Sequence, residues 1–188
     1  MRGEFSREFA KKKTWKLDSN LCKGLLAVLP KGCSVIDIGA GIGRYVEWLN
    51  TEGHRAWGVD NIEDIGKLSS GRVWKYDLSS DPVFFNLKNE QWGICIEVGE
   101  HIPPELEAAF IENVSKCARN GLIVSWAVLG QRGKNHINCH STEYVANRFG
   151  RWGWHLDEGA TALARVMSGK GWDKKLLVFK RESTRKEQ

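Results

Sequence analysis

The chain has 188 residues, 41% of them hydrophobic and 27% charged, which suits one ordinary domain with its own core and is short for two. That balance excludes a disordered, collagenous or coiled-coil chain, and no stretch approaches the roughly 18 to 20 uninterrupted apolar residues of a membrane span. The formal net charge of +5 belongs to the ends: residues 1–16 and 181–188 hold nine of the 28 basic and four of the 23 acidic residues, leaving nineteen of each between them.

The expected organisation is a basic N-terminal arm over 1–16, a single domain over 17–180 and a charged tail over 181–188. Lys11, Lys12 and Lys13 read first as a solvated arm, and the neutral domain makes nucleic acid a less favoured partner than a small molecule. The opening MRGEFSREFAKKK has no apolar run for a signal peptide. Cys22, Cys33, Cys95, Cys117 and Cys139 form no C-x-x-C pair, so the expectation is a cytoplasmic protein with reduced thiols and no membrane partner.

In chain order, Asp18 or Ser19 can cap a helix with Leu21, Leu25, Leu26 and Val28 at helical spacing, ended by Pro30 and Gly32. SVIDIG follows as a buried parallel strand, GAGIG as a glycine turn and RYVEWLN as the first crossover helix. HRAWGVD, RVWKYD, WGICIEV and GLIVSWA read as strands two to five. PPELEAAFIENVSKCARN is the clearest helix, with Leu106, Ala109, Phe110 and Val114 on one stripe. STEYVANRF is a helix, WHLD a short strand, GATALARVM a helix and KKLLVFK the last strand. This alternation implies an α/β fold with an open, mostly parallel sheet covered on both faces, in which ligands bind at the carboxyl ends of the strands.

Those ends carry a pattern. Strand one ends in Asp37 and runs into Gly39, Ala40, Gly41 and Gly43; strands two, three and four end in Asp60, Asp77 and Glu97, with Glu100 and His101 close behind. One such acid is commonly a helix cap, but capping does not explain why the set accompanies a glycine turn. Glycines there let a ligand approach the backbone, and the next helix offers its N–H groups to an anion. The dinucleotide fingerprint G-x-G-x-x-G is not met, because its last position, counted from Gly39, is Arg44.

Four motifs in order, VIDIGAGIGRYVEWL, GVD, YDL and ICIEVGEHIP, resemble those of the class I S-adenosylmethionine-dependent methyltransferases, the last being similar to the E-x-x-E-H-I/V-P run of the small-molecule branch. The resemblance spans roughly residues 18 to 180. It implies a Rossmann-like seven-stranded sheet of order 3-2-1-4-5-7-6 with strand seven antiparallel, S-adenosylmethionine as cofactor and S-adenosylhomocysteine as product. It implies that Gly39, Ala40, Gly41 and Gly43 line the methionyl part of the cofactor, with Asp37 near its ammonium group. Asp60 would accept the ribose hydroxyls, Asn61 would belong to the cofactor site, Ile62 would pack on the adenine face, Asp77 and the Leu78 N–H would meet the adenine edge, and Glu97 would stand at the methyl-transfer end. One departure is visible: the family often joins strands six and seven by a short hairpin, whereas GATALARVMSGKGWD intervenes here.

The transfer end lies between two loops. Glu97, Glu100, His101 and His136 are the candidates for proton removal. The polar loop LGQRGKNHINCHSTEY begins at a strand's carboxyl end, which points to acceptor contact by Gln131, Asn135, Asn138, His140 and Tyr144, with Trp126 as a wall. His136, Cys139 and His140 are all metal-capable, but no second ligand pair accompanies them, and no metal is expected. The reading is a methyltransferase acting at oxygen or nitrogen of a small or medium-sized polar molecule. The alternatives are a nucleic-acid or protein methyltransferase using the basic arm, and a cofactor-binding protein without catalysis.

Overall fold

The computed structural model describes residues 16–82 and 91–181. The lysine run of the N-terminal arm and the tail beyond Arg181 lie outside the described residues. Among them, helix α1 (Ser19–Val28) starts where the Asp18 carboxylate accepts the Asn20 and Leu21 N–H groups, and it buries Leu21 and Leu25. Strand β1 (Ser34–Ile38), helix α2 (Arg44–Thr51) and strand β2 (Arg55–Asp60) form the first crossover. A short helix α3 (Ile65–Leu68) and a three-residue strand β3 (Val73–Lys75) follow.

Strand β4 (Gln91–Cys95) is shorter than its apolar run suggests, because Glu97 turns to a φ of 57° and takes the chain out of the sheet. Beyond it Pro104–Leu106 makes a 3₁₀ turn ahead of helix α4 (Glu107–Lys116). Strand β5 (Gly121–Ser125), helix α5 (Thr142–Gly150), strand β6 (His155–Leu156), helix α6 (Glu158–Ser168) and strand β7 (Leu176–Lys180) complete the described chain.

The seven strands form one sheet in the order 3-2-1-4-5-7-6, with β7 antiparallel to both β5 and β6 and the other pairs parallel. Alternation along each strand supplies two cores. Ile36 and Ile38 of β1 join Phe110, Val114, Phe149 and Phe179 on the face covered by α4 and α5. Val35 joins Leu21, Leu25, Leu49, Ala164 and Val178 on the face covered by α1, α2 and α6. The stretch that departs from a hairpin between β6 and β7 therefore has a structural use: it forms α6, which lies against α1 so closely that Gly24 has no room for a side chain. Among the described residues no helix is long and apolar enough to cross a membrane.

With β1 central and β2 and β4 on either side, the turns after these strands open onto the same edge. The reversal of strand order between β1 and β4 leaves a crevice there.

Candidate active site

The first turn is built around backbone donors. Gly39 and Ala40 donate to the Val59 carbonyl at 2.9 and 3.1 Å, which ties the end of β1 to the end of β2. Gly39, Gly41 and Gly43 have φ of 76°, 54° and 78°, a region that favours glycine. A Cβ on Gly39 would also stand 2.4 Å from a Val98 methyl, so the turn and the loop after β4 meet at this residue. Gly43 caps α2 without a side-chain hydrogen bond.

Asp60 fixes the turn from β2. Its Oδ2 accepts the Gly41 N–H at 2.8 Å and its Oδ1 the Ile62 N–H at 3.0 Å. Each carboxylate oxygen keeps a second lone pair for a ligand hydroxyl. Asp37 lies beneath, in β1, 3% exposed and with no hydrogen-bond partner at Oδ2. Burial, reinforced by the charge of Asp60, pushes its carboxyl up to about 8. A buried carboxyl with an unmatched oxygen suits a cationic ligand group.

On the other side Asp77 accepts from the Ser79 N–H at 2.9 Å and its hydroxyl at 2.6 Å. Asn113 of α4 donates to the Leu78 and Asp81 carbonyls, both at 2.9 Å, and so anchors this loop to the far core. Gly39, Gly41, Asp60, Asn61, Ile62, Asp77, Leu78, Glu97 and His101 border one cavity. Of the expected cofactor residues, Asp37, Ala40 and Gly43 stand behind that lining; Ala40 packs against the Ile62, Ile65 and Val73 cluster. Tyr76, Ser79, Val98, Ile102, Leu106 and Phe110 also border the cavity and were not foreseen. Their signal in the sequence is only that they follow strand ends or begin α4.

At the transfer end Glu97 is held three ways. Its N–H donates to Ser125 Oγ at 2.8 Å, the Ser125 hydroxyl donates to Oε1 at 2.9 Å, and Lys175 Nζ donates to Oε2 at 2.7 Å. Lys175 also lies 4.4 Å from the Trp172 ring centre, a contact no local pattern announces.

The loop after β5 folds back over the loop after β4. Ile137 and Asn138 donate to the Glu100 carbonyl at 2.9 and 3.1 Å, and His101 Nδ1 meets the Asn135 carbonyl at 3.0 Å. The buried Trp126 donates from Nε1 to the Asn138 carbonyl at 2.6 Å, while Gln131 closes a turn on Val128. The side chains of Asn138, His140 and Tyr144 turn towards Glu107, accepted at 2.9, 2.9 and 2.7 Å, and Arg148 joins them at 3.0 Å. Burial works against the ionised Glu107, yet donors from Tyr144 and Asn138, with His140 and Arg148 beside it, hold its carboxyl below the usual value. None of Trp126, Gln131, Asn135, Asn138, His140 and Tyr144 borders the cavity itself.

His136 leaves its neighbours Cys139 and His140 and meets the β4 loop instead. Its ring centre is 5.0 Å from that of His101, edge to face. One side-chain atom each of Glu100, His101 and His136 lie within 4.8 Å of one another.

No family profile and no curated protein sequence matches the chain. Solved structures do match. The magnesium protoporphyrin IX methyltransferase of Synechocystis, with bound S-adenosylhomocysteine, is 20% identical, the match covering 87% of this chain and 81% of that one at a TM-score of 0.62. The 1,6-didemethyltoxoflavin-N1-methyltransferase of Burkholderia thailandensis is 15% identical over 91% of this chain and 82% of that one, at 0.61. The small RNA methyltransferase HEN1 is 14% identical over 93% of this chain and 27% of that one, at 0.63. The chain has the fold of the class I S-adenosylmethionine-dependent methyltransferases.

Proposed function

We propose that the protein moves the methyl group of S-adenosylmethionine to an oxygen or nitrogen nucleophile of a small or medium-sized polar molecule and releases S-adenosylhomocysteine. The observation that carries this reading is the convergence of the glycine turn, Asp60, Asp77 and Glu97 on one cavity at the carboxyl edge of a 3-2-1-4-5-7-6 sheet. In this reading Asp60 accepts the ribose hydroxyls, Asp77 and the Leu78 N–H meet the adenine edge, and Ile62 packs on its face. Asp37 answers the ammonium group through the turn above it.

In the transfer the acceptor's lone pair bonds to the methyl carbon as the C–S bond breaks and its electron pair stays on sulfur. Positive charge disperses, so the protein's main work is alignment, for which positioning supplies about 7–11 kcal/mol. The β5 loop contributes by its placement: Glu107 holds Asn138, His140 and Tyr144, and Trp126 holds the Asn138 carbonyl, so the loop stays against Glu100 and His101. An acceptor that carries a proton loses it at the end of the cavity where Glu97 and His101 stand.

Calorimetric titration with S-adenosylmethionine, S-adenosylhomocysteine and NAD tests the cofactor. One site for each of the first two and none for NAD is expected; no heat with either adenosyl ligand overturns the reading. Labelled methyl incorporation into fractions of an extract then tests the acceptor, with label expected in small molecules. The match to an RNA methyltransferase and the basic arm favour a second reading, in which label enters nucleic acid. Its binding would fall steeply with salt, and removal of residues 1–16 would flatten that slope.

A further inference from the structure

We infer that Lys175 is a positioning residue of the methyl-transfer end: by pairing with Glu97 it keeps the wall beside the sulfonium free of net charge. The inference rests on the methyltransferase reading and adds to it a residue that the strand-end motifs do not contain. Glu97 borders the cavity together with Gly39 and Gly41. Its neighbour Val98 meets the glycine turn so closely that a Cβ on Gly39 would stand 2.4 Å from a Val98 methyl. The carboxylate therefore lies beside the part of the cavity that the turn opens, where that reading places the sulfur.

Lys175 reaches Glu97 from the stretch between α6 and β7, where the sequence departs from a short hairpin. Gly169 and Gly171, at φ of 68° and 97°, turn the chain there. Trp172 then fixes the loop: its N–H donates to the Gly169 carbonyl at 3.2 Å, and its Nε1 donates to Asp18 Oδ2 at 2.9 Å, tying it to the N-cap of α1. Lys175 Nζ lies 4.4 Å from the Trp172 ring centre and donates to Glu97 Oε2 at 2.7 Å. The lysine side chain is only 11% exposed. An ammonium in such a place is costly unless it is paired, and Glu97 and the indole face supply the partners. The other carboxylate oxygen accepts the Ser125 hydroxyl at 2.9 Å, so Glu97 is held from both sides.

Burial, reinforced by the charge of Glu97, pushes the Glu100 carboxyl up to about 8, and burial holds the His101 imidazole below its usual value. Both are therefore mainly neutral at pH 7, and the Glu97–Lys175 pair sets the charge that the sulfonium meets. Methyl transfer disperses the positive charge on sulfur. A lone carboxylate beside it would stabilise the bound reactant more than the transition state, and such binding slows the chemical step. Lys175 offsets that charge and leaves the carboxylate's shape and remaining lone pairs in place for the acceptor.

The test compares S-adenosylmethionine, which carries the sulfonium charge, with S-adenosylhomocysteine, which does not, by calorimetry on the full-length chain at pH 7. Lys175→Met keeps a long stem on Trp172 and removes the ammonium. It should shift the ratio of the two affinities towards S-adenosylmethionine by roughly tenfold or more, the size expected of a unit charge within about 10 Å at an effective dielectric constant of about 20. Glu97→Gln, which leaves the lysine charge alone, should shift the ratio the other way. The double variant and Lys175→Arg should both return the ratio of the unaltered chain. Lys180→Met, which removes the same charge from the exposed pair with Asp157 at the other end of β7, should leave the ratio unchanged. A purely structural role would weaken both ligands together and not move it. Circular dichroism checks the fold, and Glu97→Gln keeps the test decisive if Lys175→Met does not fold. An unchanged or opposite ratio in either variant overturns the inference and leaves the cofactor reading intact, because both ligands still bind. No heat from either ligand with the unaltered chain overturns that reading, and the inference falls with it.

Discussion

Asp60 does two jobs with one carboxylate. It holds the glycine turn open through Gly41 and the following loop through Ile62, and it faces the cavity with its remaining lone pairs. A charged acceptor's hydrogen bond is worth about 1.5–3 kcal/mol, so Asp60→Ala should weaken S-adenosylhomocysteine by roughly 10- to 100-fold in calorimetry. An unchanged dissociation constant would remove Asp60 from the cofactor site. Asp37 gives a prediction in pH. With its carboxyl pushed up to about 8 by burial and by Asp60, the folded chain holds a proton that the unfolded chain loses near the ordinary carboxylate value of about 3.9. The folded state therefore binds more protons between these values, and this contribution to stability is lost as pH rises through about 8. Thermal melts of the ligand-free protein from pH 5 to 8.5 should show that fall, and Asp37→Asn should flatten it. A melt as steep in the variant would assign the dependence to another group. The cofactor's ammonium group should draw the proton off, so S-adenosylhomocysteine binding at pH 7 should release one, read from calorimetry in buffers of different ionisation enthalpy.

At the scale of elements, two contacts decide how the site's walls are held. The first is α1 on α6, where a Cβ at Gly24 would stand 1.9 Å from Ser168 Oγ and 2.6 Å from the Ala164 carbonyl oxygen. The serine can rotate but the carbonyl cannot, so Gly24→Val should cost about 1–3 kcal/mol. A chain of this size loses about 2–4 °C in Tm per kcal/mol; an unchanged Tm would mean that the two helices part without cost. The second is Glu107 at the start of α4, with donors from four residues. Its removal leaves Arg148 and the loop unpaired in a largely buried place, and Glu107→Ala should cost about 3 kcal/mol, with faster amide exchange over residues 126–141. Exchange unaltered there would mean that the bonds of Trp126, Ile137 and Asn138 fix the loop without Glu107.

These elements also show what the sequence could disclose. Apolar runs bounded by turn residues marked all seven strands, and the acids at their ends marked the polar half of the cavity. The apolar half, from Tyr76 to Phe110, uses the same residue types as the core and is distinguished only after the chain has folded. Nothing local marks Glu107 within its helical run, because its partners lie 31 to 41 residues away. His136 stands with Glu100 and His101 among the candidates for proton removal, and the fold brings one side-chain atom of each within 4.8 Å of the others, although His136 lies 35 or more residues from the other two in the chain. Helix α3, four residues long, has too few positions for a periodic signal.

Across the whole molecule, the cavity is assembled from parts that share no local structure. The glycine turn hangs from β1, Asp60 from β2, Asp77 follows β3 and Glu97 follows β4, and Lys175, just before β7, pairs with Glu97 from the far side of β5. A ligand that touches the first four at once binds only the folded sheet, so its affinity becomes stability. At a hundredfold excess over its dissociation constant, a single-site ligand adds about 2.7 kcal/mol, which corresponds to roughly 5–10 °C in Tm. S-adenosylhomocysteine should produce that shift by differential scanning fluorimetry, and Asp60→Ala should remove most of it at the same ligand concentration. A ligand that joins four strand ends should raise the transition equally in circular dichroism and tryptophan fluorescence. A shift in one signal alone would place the ligand on a local element instead of the strand-end cavity.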